Sequence, residues 1–159
     1  MKTQGNLAMD HPTSDEPLDM KKHVSFKLAN ETYALNAAKA NEVLRYTEIT
    51  PVPGSAHFTL GIINLRGNVV TVIDARTVFG MPDVEQTQSS RIIVVEIEDF
   101  VVGILVDRVA EVIDLNKNMI EIAPATSQDP STKFITGLFN SDGQLIILVD
   151  FSRVIELLP

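Results

Sequence analysis

Cysteine is absent from the 159 residues, tryptophan is absent too, and aromatic residues amount to only 6%. Without cysteine the chain has no disulfide, no thiolate metal site and no cysteine nucleophile. Aliphatic side chains must therefore supply most of the packing. Basic residues are also short: 13 Lys and Arg stand against 21 Asp and Glu, a net charge of −8. That balance disfavours nucleic acid and anionic membrane surfaces, which repel an acidic chain. No stretch of eighteen apolar residues is available for a membrane-spanning helix. No long apolar run follows the N-terminal lysine, so no signal peptide is expected, and the expected location is the cytoplasm.

Chemistry-bearing patterns are equally scarce. His11, His23 and His57 are scattered, and none belongs to a cluster with metal-ligand spacing. Gly61 and Gly67 precede a strand instead of following one and opening a helix, so they do not form a phosphate-binding loop. No Gly-x-Ser-x-Gly elbow occurs. The reading that follows is a chain with no catalytic residue, no metal and no cofactor.

What is present is β-strand text. Residues 1–21 carry few apolar side chains and read as a disordered tail, because such a segment cannot offset its ordering entropy. After Lys22, Val24, Phe26 and Leu28 alternate with polar neighbours, the period-2 pattern of a half-buried strand. Asn30-Glu31 supplies a turn into Tyr33-Ala34-Leu35. Runs at 69–73, 92–97, 101–106 and 145–149 are rich in Val and Ile, bounded by turn residues, and of strand length. Helix signals are brief: 77–79 suggests one turn, and about 151–158 suggests a short terminal helix capped by Asp150 or Ser152. The polar stretch about 82–90 reads as a linker.

An internal repeat organises these strands. Residue 61 laid over residue 137, an offset of 137 − 61 = 76, matches Gly61 with Gly137, Asn64 with Asn140, Gly67 with Gly143 and Asp74 with Asp150, without a gap. An earlier block matches at 111 − 42 = 69, placing Glu42-Val43 on Glu111-Val112, Leu35 on Ile104 and Phe26 on Val95. The offsets differ by seven, and Ala125 to Lys133 reads as the insertion. Each copy is a hairpin, a variable loop and a second hairpin. Arg66-Gly67 and Asp142-Gly143 form equivalent tips, where glycine supplies positive φ. A lone unit of this size is marginal, so the two copies are expected to pack across a shared apolar seam. The contiguous partition that follows is subdomain 1 at about 22–81 and subdomain 2 at about 91–150.

Asp74 and Asp150 could suggest a two-carboxylate catalytic pair. The residues after them, Ala75-Arg76 and Phe151-Ser152, lack the Thr/Ser-Gly such a site requires, and both aspartates read as strand-end caps.

The block Gly61-Ile62-Ile63-Asn64-Leu65-Arg66-Gly67, followed by Val69 to Asp74, closely resembles the hallmark stretch of the CheW family. Gly103 to Val109, Glu111-Val112, Ile135 to Leu138 and Leu145 to Asp150 resemble later blocks of that family in order, over about residues 23–158. The resemblance implies an all-β fold of two packed SH3-like five-stranded barrels with short helical turns. It implies a non-catalytic chemotaxis adaptor, cytoplasmic and recruited to membrane-associated arrays without inserting in the membrane. Such an adaptor links the hairpin tips of methyl-accepting receptors to the regulatory domain of the histidine kinase CheA. Carried over by motif, Ala40, Glu42 and Arg66 are the expected kinase-binding residues, and Val109, Val112 and Leu138 the expected receptor-binding residues. Plainer readings stand beside these: Arg66 as a solvated turn residue, Glu42 and Glu111 as edge-guarding charges, and Val109 and Val112 as core or groove wall. An adaptor for a different two-component system and a small β-barrel hydrolase are the alternatives. No receiver-like pattern precedes Pro159.

Overall fold

A computed structural model describes residues 19–122 and 133–157. The strands are β1 (Met20–Leu28), β2 (Glu31–Asn36), β3 (Ala40–Arg45), β4 (Thr59–Leu65), β5 (Asn68–Asp74), β6 (Arg91–Ile97), β7 (Phe100–Val106), β8 (Arg108–Asn116), β9 (Glu121–Ile122), β10 (Ile135–Ser141) and β11 (Gln144–Val149). A four-residue helix α1 (Ala75–Val78) follows β5, and a 3-10 helix (Ser152–Leu157) follows β11. The expected tail ends two residues early. Met20 and Lys21 belong to β1 because they pair with Asn116 and Leu115 of β8; the rest of the tail call, residues 1–18, lies outside the described residues, as do 125–132 of the expected insertion.

Two sheets result, with strand orders β9-β10-β11-β2-β1-β8 and β3-β6-β7-β5-β4. They are the two SH3-like units expected, the first carrying the two-residue β9 as a sixth strand. Neither sheet is a contiguous half of the chain, so the partition at 22–81 and 91–150 is corrected. The hairpin β1–β2 joins β8, β10 and β11 of the second copy, while β6–β7 joins β3, β4 and β5 of the first. The exchange is reciprocal down to register. Phe26 faces Val109 and Val24 faces Val112, with a bulge between; at the equivalent positions Val95 faces Ala40 and Ile93 faces Val43, again across a bulge. The parallel joins correspond too, Tyr33 with Ile147 and Val102 with Thr71. The chain passes between sheets at Ala37–Lys39 and at Asp107. The stretch 82–90 instead connects two strands of one sheet: its polar composition marks exposure, not a boundary.

The largest apolar cluster lies between the sheets and is assembled from repeat-equivalent residues. At offset 69 Val24, Phe26, Leu28, Tyr33 and Leu35 meet Ile93, Val95, Ile97, Val102 and Ile104; at offset 76 Phe58, Ile73, Ala75 and Val78 meet Phe134, Val149, Phe151 and Val154. The scarce aromatics concentrate there. Tyr33 stacks between Phe26 and Phe79 with ring centroids 5.7 and 5.2 Å away, and Phe79 packs edge-on against Phe134 and Phe151. Smaller clusters fill each barrel, around Ile63, Val72 and Ile92 in one and around Ala34, Leu115 and Leu148 in the other.

The four identities of the repeat have local explanations. Gly61 has φ +148°, and a Cβ there would stand 2.0 Å from the Thr50 carbonyl oxygen, because Thr50 and Ile62 exchange backbone hydrogen bonds of 2.9 and 2.8 Å. At Gly137 the approach is less severe, a Cβ there standing 2.7 Å from the Ile120 side chain and 2.9 Å from the Glu121 carbonyl oxygen. Asn64 and Asn140 accept hydrogen bonds from the Gly67 and Gly143 amides at 3.0 and 3.1 Å, clamping the two tips. Asp74 caps α1, accepting from the Arg76 amide at 3.0 Å and the Thr77 hydroxyl at 3.2 Å; Asp150 accepts from the Ser152 amide at 2.8 Å. Both aspartates are caps, and burial is what raises the Asp74 carboxyl above its ordinary value.

One ion pair secures a crossing point. Arg76 donates from Nε and Nη2 to Asp107 at 2.8 and 2.6 Å, and its Nη1 donates to the Pro82 carbonyl at 3.1 Å. Asp107 also accepts from the Ala29 amide at 2.8 Å, tying the β1–β2 turn of one sheet to α1 beside the other. The hydrogen bonds from Arg76 hold the Asp107 carboxyl below its usual range.

Two outcomes are expected from chemical denaturation. Gly61→Ala costs about 3 kcal/mol because backbone blocks the new methyl, whereas Gly67→Ala, which meets open space, costs about 1 kcal/mol for its left-handed backbone alone. Asp107→Asn costs about 2 kcal/mol at neutral pH. Because the folded-state value of Asp107 is lowered, its contribution is complete above the unfolded aspartate range and is lost as pH falls through the depressed value. The stability gap between the native chain and Asp107→Asn therefore closes in acid.

Candidate functional site: two unlike barrel faces

Strand β3 brings Glu42 to an exposed edge, and the β4–β5 tip brings Arg66 opposite it. Arg66 adopts φ +50° beside Gly67 at φ +87°, a turn with both central residues left-handed. That geometry carries the guanidinium to Glu42, with Nη1 donating to Oε1 at 3.2 Å and Nη2 donating to Oε2. The pair is bidentate, and 67% of the Arg66 side chain remains exposed. Arg66 holds the Glu42 carboxyl below its usual range, chiefly through this hydrogen bond. A cleft of about 470 Å³ runs beside the pair, lined by Asn41, Leu65, Val69, Thr71, Phe100 and Val101 among others. Val43, Val69, Phe100 and Val101 are exposed apolar residues. A charged fork inside an apolar border is a surface suited to protein contact.

The other barrel has diverged at equivalent positions. Glu111 stands for Glu42 and Asp142 for Arg66, so two acids replace the ion pair. Val112 stands for Val43 and is 60% exposed, and Leu145 stands for Val69 and is 50% exposed. Repeat-equivalent exposed positions of the two barrels thus differ in charge.

The structure joins Glu42 to Arg66 but leaves Ala40 apart from their cleft. Ala40 is half-buried and packs on the inter-sheet core, as does its repeat mate Val109. Val112 is on the open edge strand β8, three positions beyond Val109. Leu138 is half-buried on β10, paired with Glu121 and Ile147, and no strand pairing links it to β8. Sequence reasoning missed Phe100, Val101 and Val69. A hairpin tip followed at once by apolar residues was a usable signal for Phe100, but within a continuous valine run alternation cannot say which side chain faces outward. It also missed that Arg66 and Glu42 are partners, since 24 residues separate them.

These features define a duplicated two-barrel β protein with exposed contact faces. Among the described residues no group of three or more His, Asp or Glu could hold a metal ion, and no helix is long and apolar enough to cross a membrane. Residues 22–158 match the family model described as the CheW-like domain. The chain is 36% identical over 133 residues to the chemotaxis protein CheW of Thermotoga maritima, covering 84% of this chain and 86% of that one. It is 33% identical over 131 residues to the chemotaxis protein CheW of Klebsiella aerogenes, covering 82% and 79%. The fold matches the crystal structure of the scaffolding protein TtCheW from Thermoanaerobacter tengcongensis with a TM-score of 0.79 at 38% identity, over 87% of this chain and 99% of that one. The chain belongs to the CheW-like family.

The Glu42–Arg66 pair sets a checkable titration. By NMR, the Glu42 carboxyl titrates below an ordinary glutamate and returns to the ordinary range in Arg66→Ala. The pair persists from neutral pH until pH falls through that depressed value. Because both side chains meet solvent, Arg66→Ala leaves the thermal unfolding midpoint nearly unchanged.

Proposed function

We propose that this protein is a non-catalytic scaffold that couples methyl-accepting chemotaxis receptors to the histidine kinase CheA. The observation that carries the reading is the divergence of two repeat-equivalent faces on one rigid seam. One presents Glu42, Arg66 and a border of exposed apolar residues, and the other presents Glu111, Asp142, Val112 and Leu145. Unlike faces associate head to tail, which propagates into closed rings or open arrays, whereas identical faces would stop at a dimer. TtCheW is a scaffolding protein and the relatives are chemotaxis proteins, which supports the same reading.

In this reading Glu42 and Arg66 contact the kinase regulatory domain. Their mutual hydrogen bonds hold the guanidinium in one orientation before the partner arrives, which lowers the ordering cost of binding. Val109 and Val112 take the receptor tip where β8 leaves the core, with Leu138 an outer member of the same barrel. Ala40, the mate of Val109, is placed by its packing at the seam and would reach the kinase only from there. Such a scaffold needs no chemistry of its own: it works by the different contacts it makes with the active and inactive partners. It would reside in the cytoplasm, held at receptor arrays through protein contacts.

The test is a vesicle-reconstituted array of receptor, CheA and this protein. Arg66→Glu is expected to weaken binding to the isolated CheA regulatory domain by at least about tenfold, some 1.4 kcal/mol, and to leave receptor binding intact. Val112→Asp is expected to do the reverse. If the native protein retains neither partner, or if neither variant alters receptor-controlled kinase activity, the assignment fails.

A further inference from the structure

The duplicated barrels provide an internal comparison. At three interior positions one barrel carries Ile92, Leu105 and Leu60, all packed in its apolar cluster. The equivalent residues of the other barrel are His23, Asn36 and Thr136, and there a cleft of about 450 Å³ is present instead. Its floor is apolar and drawn from both sheets: Leu35 lies on β2 and Phe151 follows β11 in one sheet, and Val95 and Ile97 lie on β6 of the other. At the equivalent mouth on the opposite side of the seam, Arg76 bonds to Asp107 and to the Pro82 carbonyl, with Phe79 and Met81 packed on the core. Ser152 stands where Arg76 would be, and Ala38 where Asp107 would be, so the described residues make no such closure here.

Charge around this cleft opposes that of the whole chain. Lys21, Lys39 and Lys117 line it in a protein of net charge −8. Lys21 lies 3.7 Å from Asp19, while Lys39 and Lys117 enter no salt bridge among the described residues. Asp150, the one acid on the wall among the described residues, is engaged by the Ser152 amide. His23 is only 8% exposed. Its Nδ1 lies 3.1 Å from the Lys21 carbonyl, which can only accept, so Nδ1 holds the proton. Among the described residues Nε2 has no hydrogen-bond partner, and the ring forms a polar part of the cleft wall.

We propose that this cleft is a binding site for a small amphipathic carboxylate, its apolar body on the Leu35–Val95–Ile97 floor and its charge between Lys39 and Lys117. The volume is that of a small-ligand pocket, whereas a stable protein partner requires a far broader surface. Because the floor joins β6 to β2 and β11, an occupant bridges the two barrels. The site is separate from the Glu42–Arg66 face and does not depend on the adaptor reading.

Titration of the full chain with decanoate below its micellar concentration, followed by calorimetry and backbone-amide NMR, tests the proposal. One decanoate per chain is expected, shifting amides near Leu35 and Val149, while decyltrimethylammonium does not bind and 1-decanol binds at least about tenfold more weakly. Lys39→Glu with Lys117→Glu should weaken decanoate at least about tenfold without altering the fold. His23→Ile with Thr136→Leu, which rebuilds the interior of the other barrel, should abolish binding; if that variant does not fold, the lysine variants decide. The proposal is overturned if decanoate does not bind, if the three probes bind equally, if the lysine variants bind unchanged, or if an acidic apolar peptide occupies the cleft and decanoate fails to compete.

Discussion

Each β-hairpin of the duplicated unit finds its neighbours in the other copy, and this reciprocal pairing is the constraint on which the rest depends. β1 pairs with β8 and β6 with β3, in matching registers and with matching bulges. Neither half can complete a sheet alone. The inter-sheet cluster is consequently larger than the interior of either barrel, and it gathers the aromatics of a chain that has few. Burial of that kind is the main favourable term in folding, and here it is available only when both copies are in place. The two faces are therefore held at a fixed separation, which a scaffold requires and a flexible tether would not provide.

Identity and divergence between the copies have different physical origins. The residues that stayed the same, Gly61 and Gly137, Asn64 and Asn140, Gly67 and Gly143, Asp74 and Asp150, serve close backbone approach, turn clamping, positive φ and helix capping. Those that differ change charge and cavity. Arg66 against Asp142 turns one tip into half of an ion pair and leaves the other acidic. His23, Asn36 and Thr136 against Ile92, Leu105 and Leu60 open one barrel interior while the other stays filled. A duplication lets shape be kept while charge and cavity are altered, because backbone geometry tolerates little change and exposed side chains tolerate much.

Much of the fold was legible in the residue pattern. The strands, the four tips, the caps at Asp74 and Asp150, and the shared seam follow from period-2 alternation, turn residues and the repeat. The site was legible only in part. Glu42 and Arg66 could be picked out individually through the family resemblance, but their hydrogen bonds could not, nor could the separation of Ala40 from their cleft or the apolar border at Val69 and Phe100. The boundary at 82–90 misled because loop polarity reports solvent exposure and carries no information on which sheet follows.

By itself the sequence determined the elements: where the backbone extends, where glycine must permit a left-handed turn or a close approach, and that one unit occurs twice. These are local demands, met within a few residues of the chain. Only the tertiary structure decided which copy each hairpin joins, that the chain changes sheet at Ala37–Lys39 and Asp107, and which charges and cavities come together. Strand partners are chosen by burial and hydrogen bonding between segments far apart in sequence, and local pattern is the same whichever partner is taken.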